Sequence, residues 1–171
     1  METPPRVMDL AIACVTSVKN ATGLELDMTQ DTLPVLDHYA RMVESSQDEI
    51  VSLLGPMCGA YFGEVLRRHL DDGDWENTEE DYDQWRLGFE PGSLSFNPVG
   101  LALEVLLKTE VAAWGAHLEV APSARKAADE ALAVYRNVRQ DDFFRFAVRF
   151  EGIEQAYRAL LNDPKGMAPR P

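Results

Sequence analysis

Three glycines lie four residues apart in an apolar stretch that otherwise favours a helix, GPMCGAYFGEVLRRH, at Gly55, Gly59 and Gly63. On a helix these positions fall almost in line along one face. Each interior glycine costs about 1 kcal/mol of helix stability relative to alanine. Close approach of another backbone or of a flat ring to the bare face offsets that cost. The stripe therefore predicts that a neighbouring helix, the apolar one around Leu103–Trp114, packs against this face.

The same face allows a second interpretation, in which a groove along the stripe holds a small molecule. A carboxylate buried beside such a groove would have a raised pKa and could act as an acid or a base. The carboxylate in question is that of Glu64. A buried glutamate more commonly forms a salt bridge, here with Arg67, Arg68 or an arginine of the last helix. The residues of this possible ligand groove are Gly59, Tyr61, Gly63 and Glu64.

Hydrophobic periodicity predicts an α+β fold that is predominantly helical. We expect five or six helices around a central apolar helix at about 98–118. Apolar residues alternate at Trp85, Leu87 and Phe89, and a Pro-Gly-Ser turn and a second alternation follow. This pattern predicts a small antiparallel hairpin at about 84–97.

Prolines and charged residues predict where helices begin and end and how far the domain extends. Pro56 predicts a kink, or two helices meeting, at Gly55, because proline removes a helix hydrogen bond. The last helix is expected to run without a break over about 141–161. Residues 1–162 are expected to form a single globular domain and residues 163–171 a flexible C-terminal tail.

Several features of the sequence favour a cytoplasmic protein. The N-terminal segment has a short apolar patch without a cationic stretch before it, which does not match a signal peptide. No run approaches the ~18 consecutive apolar residues of a membrane span. Cys14 and Cys58 are the two cysteines, and two reduced thiols suit a reducing compartment.

Charge is unevenly distributed along the chain. The net charge is −13 for residues 1–97 and zero for residues 98–171, and residues 71–84 hold eight acids and no base. Such a chain binds nucleic acid and anionic lipid poorly, because their phosphates attract lysine and arginine. It attracts a basic protein and speeds that encounter. The alternative explanation is that the acids keep the protein soluble.

The acidic segment is the candidate partner-binding surface. Aromatic residues are interleaved with its acids, and aromatics beside charges are typical of interface anchors. In the alternative interpretation, the rings tether the segment to the hairpin. The candidate residues are Asp71, Asp72, Asp74, Trp75, Glu76, Glu79, Glu80, Asp81, Tyr82 and Asp83.

The sequence predicts no metal, no cofactor and no catalytic residue. Acids counted from Asp72 match EF-hand spacing, but Asn77 stands where the loop needs glycine and Asp83 where a bidentate glutamate is expected. The three histidines are far apart and have no partner at ligand spacing. Motifs for an activated serine and for a phosphate-binding loop are also missing from the sequence.

Two elements carry a resemblance to a known group. They have the patterns L-D-x-[ST]-x-x-[ST]-L-x-x-L-D and G-A-Y-x-G-E-V, and a Gly-x-Trp step follows the second. The matching residues are Leu26, Asp27, Thr29, Thr32, Leu33, Leu36, Asp37, Gly59, Ala60, Tyr61, Gly63, Glu64, Val65, Gly73 and Trp75. This combination resembles a loosely defined group of uncharacterised bacterial domains. The resemblance implies a helical domain with a short sheet and a bacterial source, and it implies no activity.

Together these features favour a non-enzymatic interaction protein that presents an acidic face to a basic protein partner. An immunity-type or regulatory protein fits the size, the charge and the lack of catalytic motifs. The alternative is a small-molecule binder or an enzyme that uses the glycine-lined groove. The sequence leaves the oligomeric state open.

Overall fold

The computed structural model of the 171-residue chain describes residues 2–70 and 73–163. Asp71, Asp72 and residues 164–171, which make up nearly all of the predicted tail, lie outside the described residues. The helices are α1 (Pro5–Thr22), α2 (Leu33–Met42), α3 (Gln47–Glu49), α4 (Gly55–Leu70), α5 (Pro98–Leu107), α6 (Arg125–Leu132), α7 (Gln140–Phe143) and α8 (Phe146–Leu161). The strands are β1 (Asp74–Glu76), β2 (Arg86–Phe89) and β3 (Leu94–Phe96). The predicted class, α+β and predominantly helical, is confirmed.

Helix α4 lies at the centre of the core and packs against both α1 and α5. It is buried on nearly all sides from Gly55 to Leu66, which explains its lack of a continuous polar face. A π-helical turn, Ile50–Leu54, precedes it, and Pro56 stands in its first turn. The predicted discontinuity at Gly55 is therefore present. It takes the form of a change from π-helical to α-helical hydrogen bonding.

The sheet contains the predicted hairpin and one additional strand. β2 and β3 pair antiparallel, and Gly92 adopts the left-handed φ of 62° in the turn between them. β1 pairs antiparallel with the other side of β2, so the strand order is β1-β2-β3. Trp75 of β1 lies opposite Leu87 of β2, and both side chains are buried. This pairing gives the short acidic strand an apolar inner side.

The predicted central helix at 98–118 is too long, because α5 ends at Leu107. Lys108 follows in a left-handed conformation with φ 55°. The chain then folds back, and Trp114 packs so closely on α5 that a Cβ atom at Gly100 would lie 2.7 Å from the Trp114 carbonyl oxygen. The buried Glu104 carboxylate accepts a hydrogen bond from the Val111 N–H at 3.0 Å. These contacts end the helix although the apolar sequence continues.

The predicted last helix, 141–161, is interrupted between α7 and α8. Asp37 of α2 accepts hydrogen bonds from the N–H groups of Phe146 at 2.6 Å and Ala147 at 3.1 Å. A side chain from another helix thus caps the N-terminus of α8, a role that is usually local. The α2–α8 contact fixes where α8 begins, so local periodicity was a poor guide to this boundary. Among the described helices, none has the length and apolar composition needed to cross a membrane.

Candidate functional site

The glycine stripe is filled by the protein's own side chains and backbone. A Cβ atom at Gly59 would lie 2.6 Å from the Val99 Cα atom, and one at Gly55 would lie 2.5 Å from the Leu103 Cδ2 atom. At Gly63 the Trp75 ring occupies the corresponding space. Helix α5 and Trp75 therefore occupy the room that a ligand in the proposed groove would need. These contacts contradict the prediction of a ligand groove along this face.

Glu64 is fully buried beside the stripe, where it acts as the centre of a hydrogen-bonded cluster. It accepts hydrogen bonds from Trp75 Nε1 at 2.8 Å, Thr3 Oγ1 at 2.8 Å and Arg67 Nε at 2.8 Å. Arg68 Nε adds a bond of 3.2 Å. Burial by itself raises the pKa of Glu64, but the bonds from Arg67, Trp75 and Thr3 and the Arg67 charge lower the pKa below its ordinary value.

Glu64 is therefore held as a carboxylate, in contrast to the raised pKa that an acid or base in a groove would need. The salt-bridge interpretation of the sequence is the one that the contacts support. Its four donors come from the segment before α1, from α4 and from β1. The carboxylate thus ties three parts of the chain together.

Tyr61 of α4, two residues before Gly63, also has a structural role. Its hydroxyl oxygen accepts a hydrogen bond from the Met28 N–H at 3.1 Å and lies 3.3 Å from Thr32 Oγ1. Thr29 and Thr32 both donate to Asp27 Oδ1, at 2.6 and 2.9 Å. This small network shapes the turn before α2 and attaches it to α4.

The acidic segment is held firmly by its backbone and its aromatic rings. Arg6 of α1 donates to the carbonyl oxygens of Thr78 at 3.1 Å and Glu80 at 2.8 Å. The Arg6 guanidinium also lies 4.7 Å from the centre of the Tyr82 ring. Trp85 is fully buried, and its Nε1 donates to the Glu80 carbonyl oxygen at 3.2 Å. The tethering interpretation of these rings is the one that the contacts support.

The aromatic residues of the segment do not form exposed anchors. Trp75 is 8% exposed and packs on α4. Tyr82 is partly buried beneath Arg6. Neither Trp75 nor Trp85 can insert into a partner without leaving the core, so Trp75 is corrected from a contact residue to a supporting one.

The side chains of the acids, by contrast, point to solvent. Asp83 is partly buried, and the other described acids of the segment are exposed. We call these residues the acidic face: Asp74, Glu76, Glu79, Glu80, Asp81 and Asp83. Among the ion pairs found in the described part of the chain, none includes a member of the acidic face. The described residues also contain no group of three or more metal-ligating side chains that could hold an ion.

A cavity that the sequence analysis missed lies between α2, the end of α5 and the start of α8. It has a volume of about 350 Å³, and we call it the interhelix cavity. Arg41, Lys108 and Arg145 line it together with Asp37 and Asp141, and apolar side chains complete its wall. The three cations are 67 and 37 positions apart along the chain, so no local motif could have identified them.

A buried ion pair joins α5 to α8 near a second, smaller cavity. Arg149 Nη2 donates to Glu104 Oε1 at 2.9 Å, and the guanidinium lies 4.3 Å from the centre of the Phe143 ring. Burial lowers the pKa of Arg149, although Glu104 opposes that effect. Because the cavity beside Arg149 has a volume of only about 100 Å³, we assign the pair a structural role.

The residues that carried the resemblance thus share a structural role. Asp37 caps α8, Asp27 and Tyr61 hold the turn before α2, and Gly63 and Glu64 receive Trp75. Their pattern describes how helices and strands attach to α4. The membership in a bacterial group that this pattern suggested stays a prediction. Comparison of the chain with models of protein families, with curated proteins and with solved structures finds no match.

Proposed function

We propose that this protein is a non-enzymatic interaction protein whose acidic face binds a basic protein. The observation that carries the proposal is a set of exposed carboxylates without ion-pair partners among the described residues, placed on a segment with a fixed backbone. We include an immunity-type or regulatory protein in this proposal, as one kind of protein that would bind a basic partner in this way.

The basic residues of the second half of the chain pair mainly with acids close to them in sequence. Arg125 lies 3.7 Å from Asp129, and Arg158 lies 2.8 Å from Glu154, each pair on one helix. Arg145 likewise lies 3.1 Å from Asp142 three residues earlier. These cations therefore do not neutralise the acidic face. The charge on that face remains available to another molecule.

The firm attachment of the segment favours binding. A loop that is ordered only in a complex loses conformational entropy on association, and that loss weakens the affinity. Here the buried rings of Trp75 and Trp85 and the hydrogen bonds from Arg6 order the backbone beforehand. The carboxylates are thus presented at defined positions, which suits recognition of lysine and arginine side chains.

The chemistry of the face determines the kind of partner. Carboxylates without ion-pair partners among the described residues attract a protein surface rich in lysine and arginine, and they raise the association rate through long-range steering. Steering by exposed charge is screened over about 8 Å at physiological ionic strength. Binding should therefore weaken as salt is added, mainly through slower association.

The test is a variant in which four acids of the face, Glu79, Glu80, Asp81 and Asp83, are replaced by serine. The hydrogen bonds at Glu80 involve its backbone carbonyl oxygen, so this variant should keep its fold. Tagged wild type and variant are used to capture proteins from a lysate of the source organism at low and at physiological salt. We expect basic proteins to bind the wild type and to be lost from the variant, and association with the purified partner to slow most at low salt.

A control variant with the same change in charge carries serine at four exposed acids on other elements, Glu44, Asp48, Glu49 and Glu130. It should capture the same partners as the wild type. The proposal fails if wild type and face variant capture the same proteins, if the control loses the partner equally, or if no basic protein is captured.

A further inference from the structure

We propose that the interhelix cavity is a binding site for a small organic anion with at least two negative charges, held by Arg41, Lys108 and Arg145. The site lies apart from the acidic face and is independent of the function proposed above. Its ligand is a di- or tricarboxylate or a phosphorylated small molecule, since carboxylate and phosphate groups are recognised by the same cations.

Three cations converge on the interhelix cavity. Arg41 comes from α2, Lys108 from the end of α5, and Arg145 from the residue before α8. Within the described residues, Arg41 and Lys108 take part in none of the ion pairs. The volume of about 350 Å³ lies in the range of pockets that hold small molecules.

The acids near the cavity do not pair with all three of its cations. Asp37 is 4% exposed, and its two oxygens already accept hydrogen bonds from the first N–H groups of α8. Its charge acts on the positive end of the α8 dipole and also on Arg41 and Arg145. Asp141 is an exposed residue of the wall. Asp142 pairs with Arg145 at 3.1 Å. The charges that lack an ion-pair partner among the described residues are therefore those of Arg41 and Lys108, on a protein whose net charge is −13.

Two of the cations stand at positions where local backbone preferences favour other residues. Lys108 has a φ of 55° at the end of α5, a conformation for which glycine is the preferred residue. Arg145 is the N-cap residue of α8, where serine, threonine, aspartate and asparagine are preferred and where the helix dipole disfavours a cation. Departures from local preference of this kind are expected at functional sites.

The rest of the wall indicates what the ligand looks like. Val105 and Phe144 are buried apolar residues of the wall, and they would contact the carbon body of the ligand. The guanidinium groups of Arg41 and Arg145 can each bind two oxygens of a carboxylate or phosphate, and the Lys108 ammonium adds a point charge. A cavity of this volume suits a molecule the size of citrate or a sugar phosphate.

The test is calorimetric titration of the full chain with citrate, with glucose 6-phosphate and with neutral glucose, all at physiological salt. Two variants are chosen to agree with local preference, Lys108→Gly and Arg145→Ser, so each should fold at least as stably as the wild type. We expect saturable binding of at least one anion by the wild type. Each variant should bind it at least about tenfold more weakly, the loss expected for one charge-assisted hydrogen bond.

Lys126→Gln serves as the control, because it removes one exposed cation on α6 and should bind like the wild type. Amide chemical shifts of the wild type map the site without any variant and should change around Arg41, Lys108 and Arg145. Binding of citrate alone assigns a carboxylate ligand, and binding of glucose 6-phosphate alone assigns a phosphate ligand. The proposal is overturned by no saturable binding of either anion, by equal binding of glucose, by unchanged affinity in both variants, or by shifts confined to other surfaces.

Discussion

Replacing Gly59 by alanine should destabilise the protein, although the same change in an ordinary helix stabilises it. The added methyl group would lie 2.6 Å from the Val99 Cα atom, 2.8 Å from the Val99 nitrogen and 2.9 Å from the Pro98 carbonyl oxygen. Carbon atoms in contact are normally about 3.5–4.0 Å apart. All three neighbours are backbone atoms of α5, so a side-chain rotation cannot relieve the overlap. Helix α5 would have to move by about 1 Å.

The expected magnitude follows from two opposing terms. Overpacking a core costs about 1–3 kcal/mol, and contact with backbone places this site at the upper end. The gain in helix propensity from glycine to alanine offsets about 1 kcal/mol. We therefore expect a net loss of about 2 kcal/mol in the free energy of unfolding. For a chain of this length, that loss lowers the Tm by about 4–8 °C.

Gly152→Ala in α8 is a matched control, because a Cβ atom there would have its nearest neighbour at 3.7 Å, an ordinary contact. It should raise the free energy of unfolding by up to about 1 kcal/mol. Thermal and urea unfolding of the two variants measure both effects. If Gly59→Ala is as stable as the wild type, or if the two variants shift in the same direction, α5 does not pack on the stripe as described.

Two further predictions concern buried groups. Because the pKa of Glu64 is lowered in the folded protein, its ionised form stabilises the fold above the ordinary glutamate pKa of about 4.3, and this contribution is lost as the pH falls through the folded pKa. Trp75→Phe removes one hydrogen-bond donor to the Glu64 carboxylate. It should lower the free energy of unfolding by about 1–3 kcal/mol at neutral pH and move acid unfolding to higher pH. An unchanged midpoint of acid unfolding in circular dichroism would contradict this role of Glu64. Cys14 and Cys58 are inaccessible, and the pKa of Cys14 is raised well above its ordinary value by the hydrogen bond with Cys58 and by burial. Neither thiol should react with Ellman's reagent until urea unfolds the protein, and rapid labelling of the native chain would refute that expectation.

Close packing on the glycine stripe could be predicted from the sequence because its cause is local. The spacing of Gly55, Gly59 and Gly63 identifies the face, and the apolar composition of the following helix identifies its neighbour. The hairpin could also be predicted from the sequence, since alternating apolar residues flank a Pro-Gly-Ser turn. In both cases the pattern that predicts the structure lies in residues close in sequence, although the contact between Gly59 and Val99 joins two different helices.

The elements that were missed depend on contacts between distant residues. Helix α5 ends early because Trp114 folds back onto Gly100, and the final helix begins late because Asp37 caps it from 109 positions away. The cations of the interhelix cavity are separated in the same way. Helix propensity and hydrophobic periodicity depend on residues close in sequence, so they do not predict such contacts. Tertiary packing then overrides the local preference.

The exposure of the acidic face was predictable in part. Runs of acids favour solvent, so the charge pattern located the surface. The burial of Trp75 was not evident, because it depends on the bare face at Gly63 and on the Glu64 carboxylate that accepts its N–H. The contact with the Trp75 ring explains why glycine stands at position 63. The same contact, together with the hydrogen bond to Glu64, keeps Trp75 away from solvent.

The contacts of Thr3 and Arg6 have a consequence for the order of events in folding. Their partners, Glu64 and the carbonyl groups of Thr78 and Glu80, lie 61 to 74 positions later in the chain. During synthesis, the start of α1 must therefore remain unattached until the acidic segment has left the ribosome. Closing such long loops carries a high entropic cost, so docking of this end is expected late on the folding pathway. Pulsed hydrogen exchange should then show the amides near Arg6 gaining protection after those in the middle of α4.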